Sequence, residues 1–425
     1  MFPNNIHLPA TTSGGLSTAA IEAALLEYFK AFDRPGRVLI VPPDISRSSS
    51  YAGPIVNMLW RQFPKAEVDI MPALGTHTPM TAAEIKKMYG DLPLDRFLVH
   101  DWRQDAVNVG EVAASYVASL SGGLMQNSIA VDVNKRVIDP RYDLVISVGQ
   151  VVPHEVAGFA NYTKNIVVGC GGSSMINQSH YLGALYGMER IMGRADNPVR
   201  RLYNYAANQF LPNAPIIYVL TVTTVDEAGL NVQALAIGTG DELFAEMAKV
   251  SAAQNITFLD EPLPKVVVYL DPDKFKTTWV GNKAVYRTRM AIADGGELIV
   301  IAPALAGCGE DQENDRLIKK FGYLAQQNVL AAVSEDAELA NNLSVAAHLI
   351  HGSSEGRFKI TYAPGRMSPD MVRSLKYDYL PMDIALKKYD WSNLREGLNL
   401  VNGEEIFYIS NPAIGLWATR SKFNN

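Results

Sequence analysis

The chain is poor in cysteine and histidine and has no long apolar run, and each shortage removes a class of protein. Two cysteines, Cys170 and Cys308, cannot build a disulfide framework or a four-thiolate zinc site in 425 residues. The longest uninterrupted apolar stretch, 298–307, is too short to cross a bilayer. The opening MFPNNIHLPA lacks a basic head and an apolar stretch, so no secretory signal is expected. Basic residues do not outnumber acidic ones: 38 Lys and Arg against 44 Asp and Glu leave a net charge of −6. That argues against a general electrostatic grip on nucleic acid or an anionic membrane, while leaving room for a local basic pocket. There is no internal repeat, no GxGxxG and no P-loop. What remains is globular composition, 48% hydrophobic and 19% charged, at a length that favours two or three domains. A soluble, cytoplasmic, multi-domain protein is expected, with only seven histidines whose placement matters most.

Strand-like and helix-like segments alternate. Amphipathic or capped helices are predicted over 17–32, 54–63, from Thr81 and over 240–254; β-rich runs are predicted at 37–41, 67–71, 97–99, 128–133, 144–148 and 216–223. This is an α/β pattern with a largely parallel sheet. The acidic, twice-proline segment DEPLP at 260–264 reads as a domain boundary. A second α/β block follows, with strands at 266–270, 298–302 and 358–362, a helix around 283–293 and helices over 311–351. The last β-rich run, from Glu405, could join either block.

Ligands in open α/β sheets bind beyond the carboxyl ends of strands, and four polar segments sit just after predicted strands. Asp44-Ile-Ser-Arg47 follows the first of these strands; Arg47 could grip a carboxylate with its two-pronged fork and Asp44 could orient a neighbouring base. His77 lies in GTHTP after the next. His154 closes the loop after 144–148, and Lys283 opens a helix in the second block. Each alone also fits an ordinary polar loop. Between His154 and His180 lie Lys164, which a desolvating pocket could turn into a nucleophile, and the turn Gly169-Cys-Gly171-Gly172 before Ser173, whose N–H groups could meet a phosphate. That turn equally suits a plain helix entry. His180 could ligate nickel, zinc or copper, but has no fixed-spacing partner. His348 and His351, at i and i+3, read better as a partly exposed helix end than as a metal pair.

In combination these segments resemble the nickel-dependent lactate racemase family. The resemblance rests on Asp44-x-x-Arg47, GTHTP at 75–79, PHEVAGF at 153–159, Lys164 ten residues after His154, His180 sixteen after Lys164, and Asn282-Lys283-Ala284 twelve residues before Gly295-Gly296. It implies two α/β domains with the active site in the cleft between them: an N-terminal domain over 1–262, a C-terminal domain over 263–402, and a segment 403–425 that can return to the N-terminal domain. It implies a nickel-pincer nucleotide (nickel pyridinium-3,5-bisthiocarboxylic acid mononucleotide) held covalently by Lys164, with His180 on the nickel and Gly169, Gly171, Gly172 and Ser173 around its phosphate. His77 and His154 would be the two catalytic bases. Asp44, Arg47, Lys283 and Arg287 would bind a 2-hydroxy acid and offset its charge.

The implied reaction is racemisation or 2-epimerisation by reversible hydride transfer. The implied partners are that small substrate and cofactor-making proteins, with no nucleic acid and no membrane; protein made without the cofactor pathway is expected to lack the group. Where the family often has Ser-Gly-Gly-Pro before its lysine, this chain has Ala160-Asn161-Tyr162-Thr163, and Trp279-Val280 replaces a Tyr-Gln pair. Thr78 stands where an arginine is expected, and Arg287 and Arg289 add cations. These departures favour a larger or more polar acid than lactate, such as a sugar acid or dicarboxylate. A 2-hydroxy-acid oxidoreductase with a conventional cofactor, and a nickel-nucleotide- or sugar-acid-binding protein without turnover, stay open as alternatives.

Overall fold

A computed structural model describes residues 2–32, 34–226 and 229–424. The fold is α/β, divided into two units: residues 1–179 with 193–255, and residues 180–192 with 256–425. No helix among the described residues is long and apolar enough to cross a membrane.

In the first unit the strands are β1 (Ile6–Pro9), β2 (Arg37–Val41), β3 (Glu67–Ile70), β4 (Ala106–Val112), β5 (Ile129–Asn134), β6 (Leu144–Gln150), β7 (Pro153–His154), β8 (Gly158–Phe159), β9 (Ile216–Asp226) and β10 (Gly229–Gly238). Six of them form one sheet in the order β1-β10-β9-β6-β2-β3. Pairing is parallel from β9 through β6 and β2 to β3, and antiparallel from β9 through β10 to β1. Every residue of β6, LVISVGQ, is buried, as expected of a central strand covered on both faces. On one face Ile21, Leu25 and Phe29 of helix Thr18–Phe29 and Ile55, Val56 and Leu59 of helix Ala52–Gln62 close over Val38, Ile40, Ile70 and Ile146. Ser17 caps the first of these helices, and the Thr81–Glu84 capping box is formed as the sequence predicts.

The strand predicted at 97–99 is only an isolated bridge from Phe97 to Ile70. The run at 128–133 leaves the main sheet to pair antiparallel with β4, a strand too polar to show a clear pattern.

In the second unit the strands are β11 (Ile256–Leu259), β12 (Leu263–Tyr269), β13 (Ile292–Ala302), β14 (Lys359–Pro364), β15 (Asp378–Tyr379), β16 (Gly397–Val401), β17 (Glu404–Ile409) and β18 (Leu416–Thr419). The main sheet runs β15-β14-β13-β12-β17-β16, parallel except for the β16–β17 edge. Alternate residues serve opposite faces. Val266, Val268, Leu298 and Val300 pack under Leu317, Ile318 and Leu349, while Val267, Ile299 and Ile301 pack with Ala385, Tyr389 and Tyr408.

Two parts of the expected domain layout differ. The division falls after Asn255, ahead of DEPLP, because Ile256–Leu259 pairs in parallel with Leu416–Thr419. The C-terminal segment therefore belongs to the second unit, with β17 beside β12 and β18 beside β11. Residues 180–192 also group with the second unit. Arg289 and Arg357 both donate to Glu189, at 2.8 and 3.3 Å, and the Gln326 amide donates to the carbonyls of Ala184 and Leu185.

The β7–β8 hairpin that carries His154 turns through Gly158 at φ +77°, where an added Cβ would lie 1.9 Å from the Arg194 carbonyl oxygen. Gly158→Ala is expected to cost about 3 kcal/mol from strain and overlap together, read as a lowered urea midpoint at unchanged m-value.

Candidate active site

The first unit brings five of the expected site residues to one edge of its sheet. β2, β3 and β6 are adjacent and parallel, so their chain exits leave the same side. The β2–β3 pairing continues past the strand ends as a bridge between Pro43 and Ala73, setting Asp44 and the Leu74–His77 turn side by side. Asp44 is buried and opens a short 3₁₀ turn, Ile45–Ser50, that carries Arg47. Its Oδ2 lies 2.6 Å from His77 Nδ1, and its Oδ1 accepts from the Ser46 amide at 2.9 Å and from the Ser46 hydroxyl. Burial would raise the Asp44 pKa, but the His77 charge and these hydrogen bonds outweigh it and hold the carboxyl at about 2. Asp44 is thus ionised and accepts the Nδ1 proton of His77, turning His77 Nε2 outward as the basic atom. The His77 side chain is 35% exposed.

His154 is buried. Its Nδ1 accepts the Val156 N–H at 3.1 Å, which places the proton of the neutral ring on Nε2. The Glu155 carboxylate stands 3.6 Å from the same Nδ1.

Lys164 sits in the short helix Thr163–Val167 and is half-buried. Its ammonium is held down to about 8 by burial first and then by the charge of Arg47, against smaller opposing contributions from Glu155 and Asp44. A sizeable share of this amine is therefore neutral and nucleophilic near physiological pH. Among the described residues the Arg47 guanidinium has no hydrogen-bond or ion-pair partner, so it is available to an incoming anion. Asn165 ties this helix to the strand ends, donating to the Val41 carbonyl at 3.1 Å and the Ser147 hydroxyl at 2.9 Å.

Immediately before Lys164, Asn161 and Tyr162 both have positive φ, +65° and +60°. For a tyrosine this is a strained backbone costing about 1–3 kcal/mol. The resemblance would set two glycines at these positions, which take positive φ without strain. That strained pair, and the buried Arg200 behind it, are site features the sequence reading missed. The Gly-Gly correspondence was the available signal.

The glycine turn needs a correction. The N–H groups of Gly169, Cys170, Gly171 and Gly172 are all taken, by the carbonyls of Lys164, Ile166, Val168 and Asp132. An added Cβ would meet the Asn165 carbonyl oxygen at 2.5 Å from Gly169, the Val167 carbonyl oxygen at 2.0 Å from Gly171 and Asp132 Cβ at 2.6 Å from Gly172. These glycines serve close packing, not a phosphate cradle. Only the start of helix Ser173–Tyr186, where Ser173 is exposed, could present N–H groups to an anion. His100, which had no assigned context, braces the turn: it is buried, with Nε2 3.1 Å from the Gly171 carbonyl oxygen and Nδ1 2.9 Å from the Asn134 amide. Cys170, inside the turn, is buried and its thiol is pushed far up by desolvation.

His180 lies midway along helix Ser173–Tyr186 and is the first residue grouped with the second unit. Among the described residues no cluster of three or more His, Cys, Asp or Glu is placed to hold a metal. In the second unit, Lys283 is half-buried at the start of helix Lys283–Thr288, its Nζ 5.9 Å from the Phe275 ring. The preceding Asn282 accepts hydrogen bonds from the hydroxyls of Tyr362 at 2.7 Å and Tyr377 at 3.1 Å.

Arg287, expected to touch substrate, is fully buried and donates to the Gly415 carbonyl at 3.3 Å. His348 and His351 are buried, contrary to the partly exposed helix end expected: His348 lies 3.1 Å from the Tyr323 hydroxyl and its ring meets Trp279 at 4.4 Å, tilted by 34°. Arg289, the other added cation, binds Glu189 and the Ser353 carbonyl.

Comparison with known proteins agrees with the resemblance. Residues 17–191 match the family model of the lactate racemase N-terminal domain. The lactate racemase of Thermoanaerobacterium thermosaccharolyticum is 25% identical over 257 residues, 57% of this chain, and the match spans about half (54%) of that protein's length. Among solved structures, a crystal structure of a protein from Thermotoga maritima aligns with a TM-score of 0.83 at 20% identity, covering 97% of this chain and all of that one. The lactate racemase apoprotein from Thermoanaerobacterium thermosaccharolyticum aligns with a TM-score of 0.68 at 18% identity, again over 97% of this chain and all of that one. At those identities the structural likenesses are likenesses of fold. Over residues 17–191 the chain is thus similar to the N-terminal domain of the lactate racemase family.

Proposed function

We propose that the protein is a racemase or 2-epimerase of a 2-hydroxy acid that works with a nickel-pincer nucleotide bound through Lys164. One observation carries the reading: loops from three adjacent parallel strands place a carboxylate-held imidazole, Asp44–His77, and a second imidazole, His154, in the same unit as a desolvated lysine. The residues fit the group. Lys164 has the amine character that covalent attachment needs. His180 would be the protein's own ligand to the metal, and the Ser173 end of its helix would take the phosphate. When bound, such a group supplies the acceptor and donor of the C2 hydride.

The chain's own residues handle protons and charge. Arg47 takes the substrate carboxylate with its two-pronged fork. His77 Nε2 receives the hydroxyl proton, with Asp44 steadying the imidazolium that forms. His154 presents Nε2–H to the substrate oxygen. To act as the second base, its ring carries the proton on Nδ1 in place of Nε2, giving up the Val156 N–H bond and turning that proton toward Glu155, 3.6 Å away. Inversion needs a base for each face of the carbon, and this accounts for two imidazoles held in opposite proton arrangements. The polar replacements noted in the sequence favour a sugar acid or dicarboxylate over lactate.

The direct test is mass spectrometry of the protein co-expressed with cofactor-making enzymes. An adduct on Lys164, absent from Lys164→Ala, is expected; no adduct and no nickel would overturn the proposal. His77→Asn and His154→Asn should each lower inversion at least ~100-fold, measured with a panel of 2-hydroxy acids, while keeping the Lys164 adduct and its nickel. Loss of nickel from either would mean that these histidines hold the metal instead.

Asp44 also makes a prediction about pH. Its folded pKa lies below the ordinary 3.8, so its contribution to stability is present above pH 4 and is lost as pH falls toward 2. At pH 5 wild type should exceed Asp44→Asn in unfolding free energy by about 2 kcal/mol, with the gap closing by pH 2 in urea titrations.

A further inference from the structure

Arg200 lies on helix Pro198–Phe210, near an end fixed by the Asn197 cap and Pro198, and its side chain is 2% exposed. Burying a guanidinium is costly, and an apolar side chain of similar volume would fill the same space more cheaply. What Arg200 does with its donors is specific. Nη2 donates to the Phe159 carbonyl at 2.6 Å; Nη1 donates to the Asn161 carbonyl at 3.2 Å and to Thr163 Oγ1 at 3.1 Å. Those three oxygens span the strained pair Asn161–Tyr162 and end one residue before Lys164. The guanidinium also lies 4.1 Å from the Phe244 ring, on which Tyr162 stacks at 5.3 Å. The Tyr162 hydroxyl donates to Asp241 at 2.9 Å, and Thr163 Oγ1 donates to Asn204 at 2.6 Å. None of these groups is needed by the proton chemistry, and all converge on the backbone that aims the lysine.

We infer that Arg200 is a positioning residue: its fork locks the left-handed Asn161–Tyr162 pair and thereby fixes the direction in which Lys164 is presented. A lysine at 200 cannot reach three oxygens in one plane. The inference takes its functional meaning from the proposed role of Lys164, but its test reads the amine directly and requires no cofactor. An unmoved Lys164 here and a missing adduct in the co-expression experiment are therefore separate failures.

The test is trace acetylation of the full chain with acetic anhydride across pH 6–11, read by peptide mass spectrometry as the ratio of Lys164 to the exposed Lys249. The charged groups acting on Lys164 are Arg47, Glu155, Arg200 and Asp44. Burial can cost a lysine at 200 its charge, so the report on position is the reversal by Asn161→Gly, which changes no charge. Wild type should show a midpoint near pH 8. In Arg200→Lys the midpoint should rise by at least one pH unit, a tenfold smaller neutral fraction at pH 7. Adding Asn161→Gly, which takes positive φ without strain, should move it back toward wild type. A folded Arg200→Lys with the wild-type midpoint would overturn the inference, and so would a shift that Asn161→Gly does not reverse. If Arg200→Lys does not fold by circular dichroism, Thr163→Val, which removes one of the three acceptors, is read in the same way. A raised midpoint there supports the inference and an unchanged one overturns it.

Discussion

Parallel pairing of Arg37–Val41 with Glu67–Ile70 on one side and Leu144–Gln150 on the other sends three chain exits to one edge of the first sheet. Asp44, His77 and His154 are the polar residues those exits carry. Antiparallel partners at these positions would have sent neighbouring exits to opposite edges. The apolar faces of helices Thr18–Phe29 and Ala52–Gln62 hold that sheet in place, so the proton chemistry proposed here depends on an aliphatic core containing none of the reacting groups.

Much of this was legible in the sequence because the signals are local. The runs RVLIV and LVISVGQ read as buried strands, Thr81 with Glu84 as a helix start, and Asp44, His77 and His154 as post-strand polar residues. What stayed hidden depends on partners distant in the chain. Nothing around Ile256 shows that its partner is Leu416, so the sequence pattern marks DEPLP and assigns the C-terminal segment to neither block, while the pairing sets the division after Asn255. The polar strand Ala106–Val112 has no alternation clear enough to mark it.

The site reading divided along the same line. Asp44 was seen as a group that could orient a base, and the distance to His77 Nδ1 shows which one. The glycine turn misled because glycine is chosen for two unrelated reasons, exposing N–H groups and allowing close approach, and composition cannot separate them. Here all four N–H groups are satisfied by the chain itself. Arg287 is a cation one helical turn beyond Lys283, and nothing local shows that it also donates to a carbonyl 128 residues away. Arg200 carries no sequence signal at all, since its three oxygens lie 37 to 41 residues upstream.

Both cysteines are buried, and desolvation pushes both thiols up, Cys308 to about 11. At neutral pH the chain therefore offers almost no thiolate. Cys170 lies only six positions beyond Lys164, yet it remains a neutral, enclosed sulfur, a poor rival for a soft metal and a poor partner for exchange with an incoming sulfur-bearing group. A soft metal reaching this part of the first unit would meet imidazole, amine and carboxylate, and no cysteine thiolate of the protein's own.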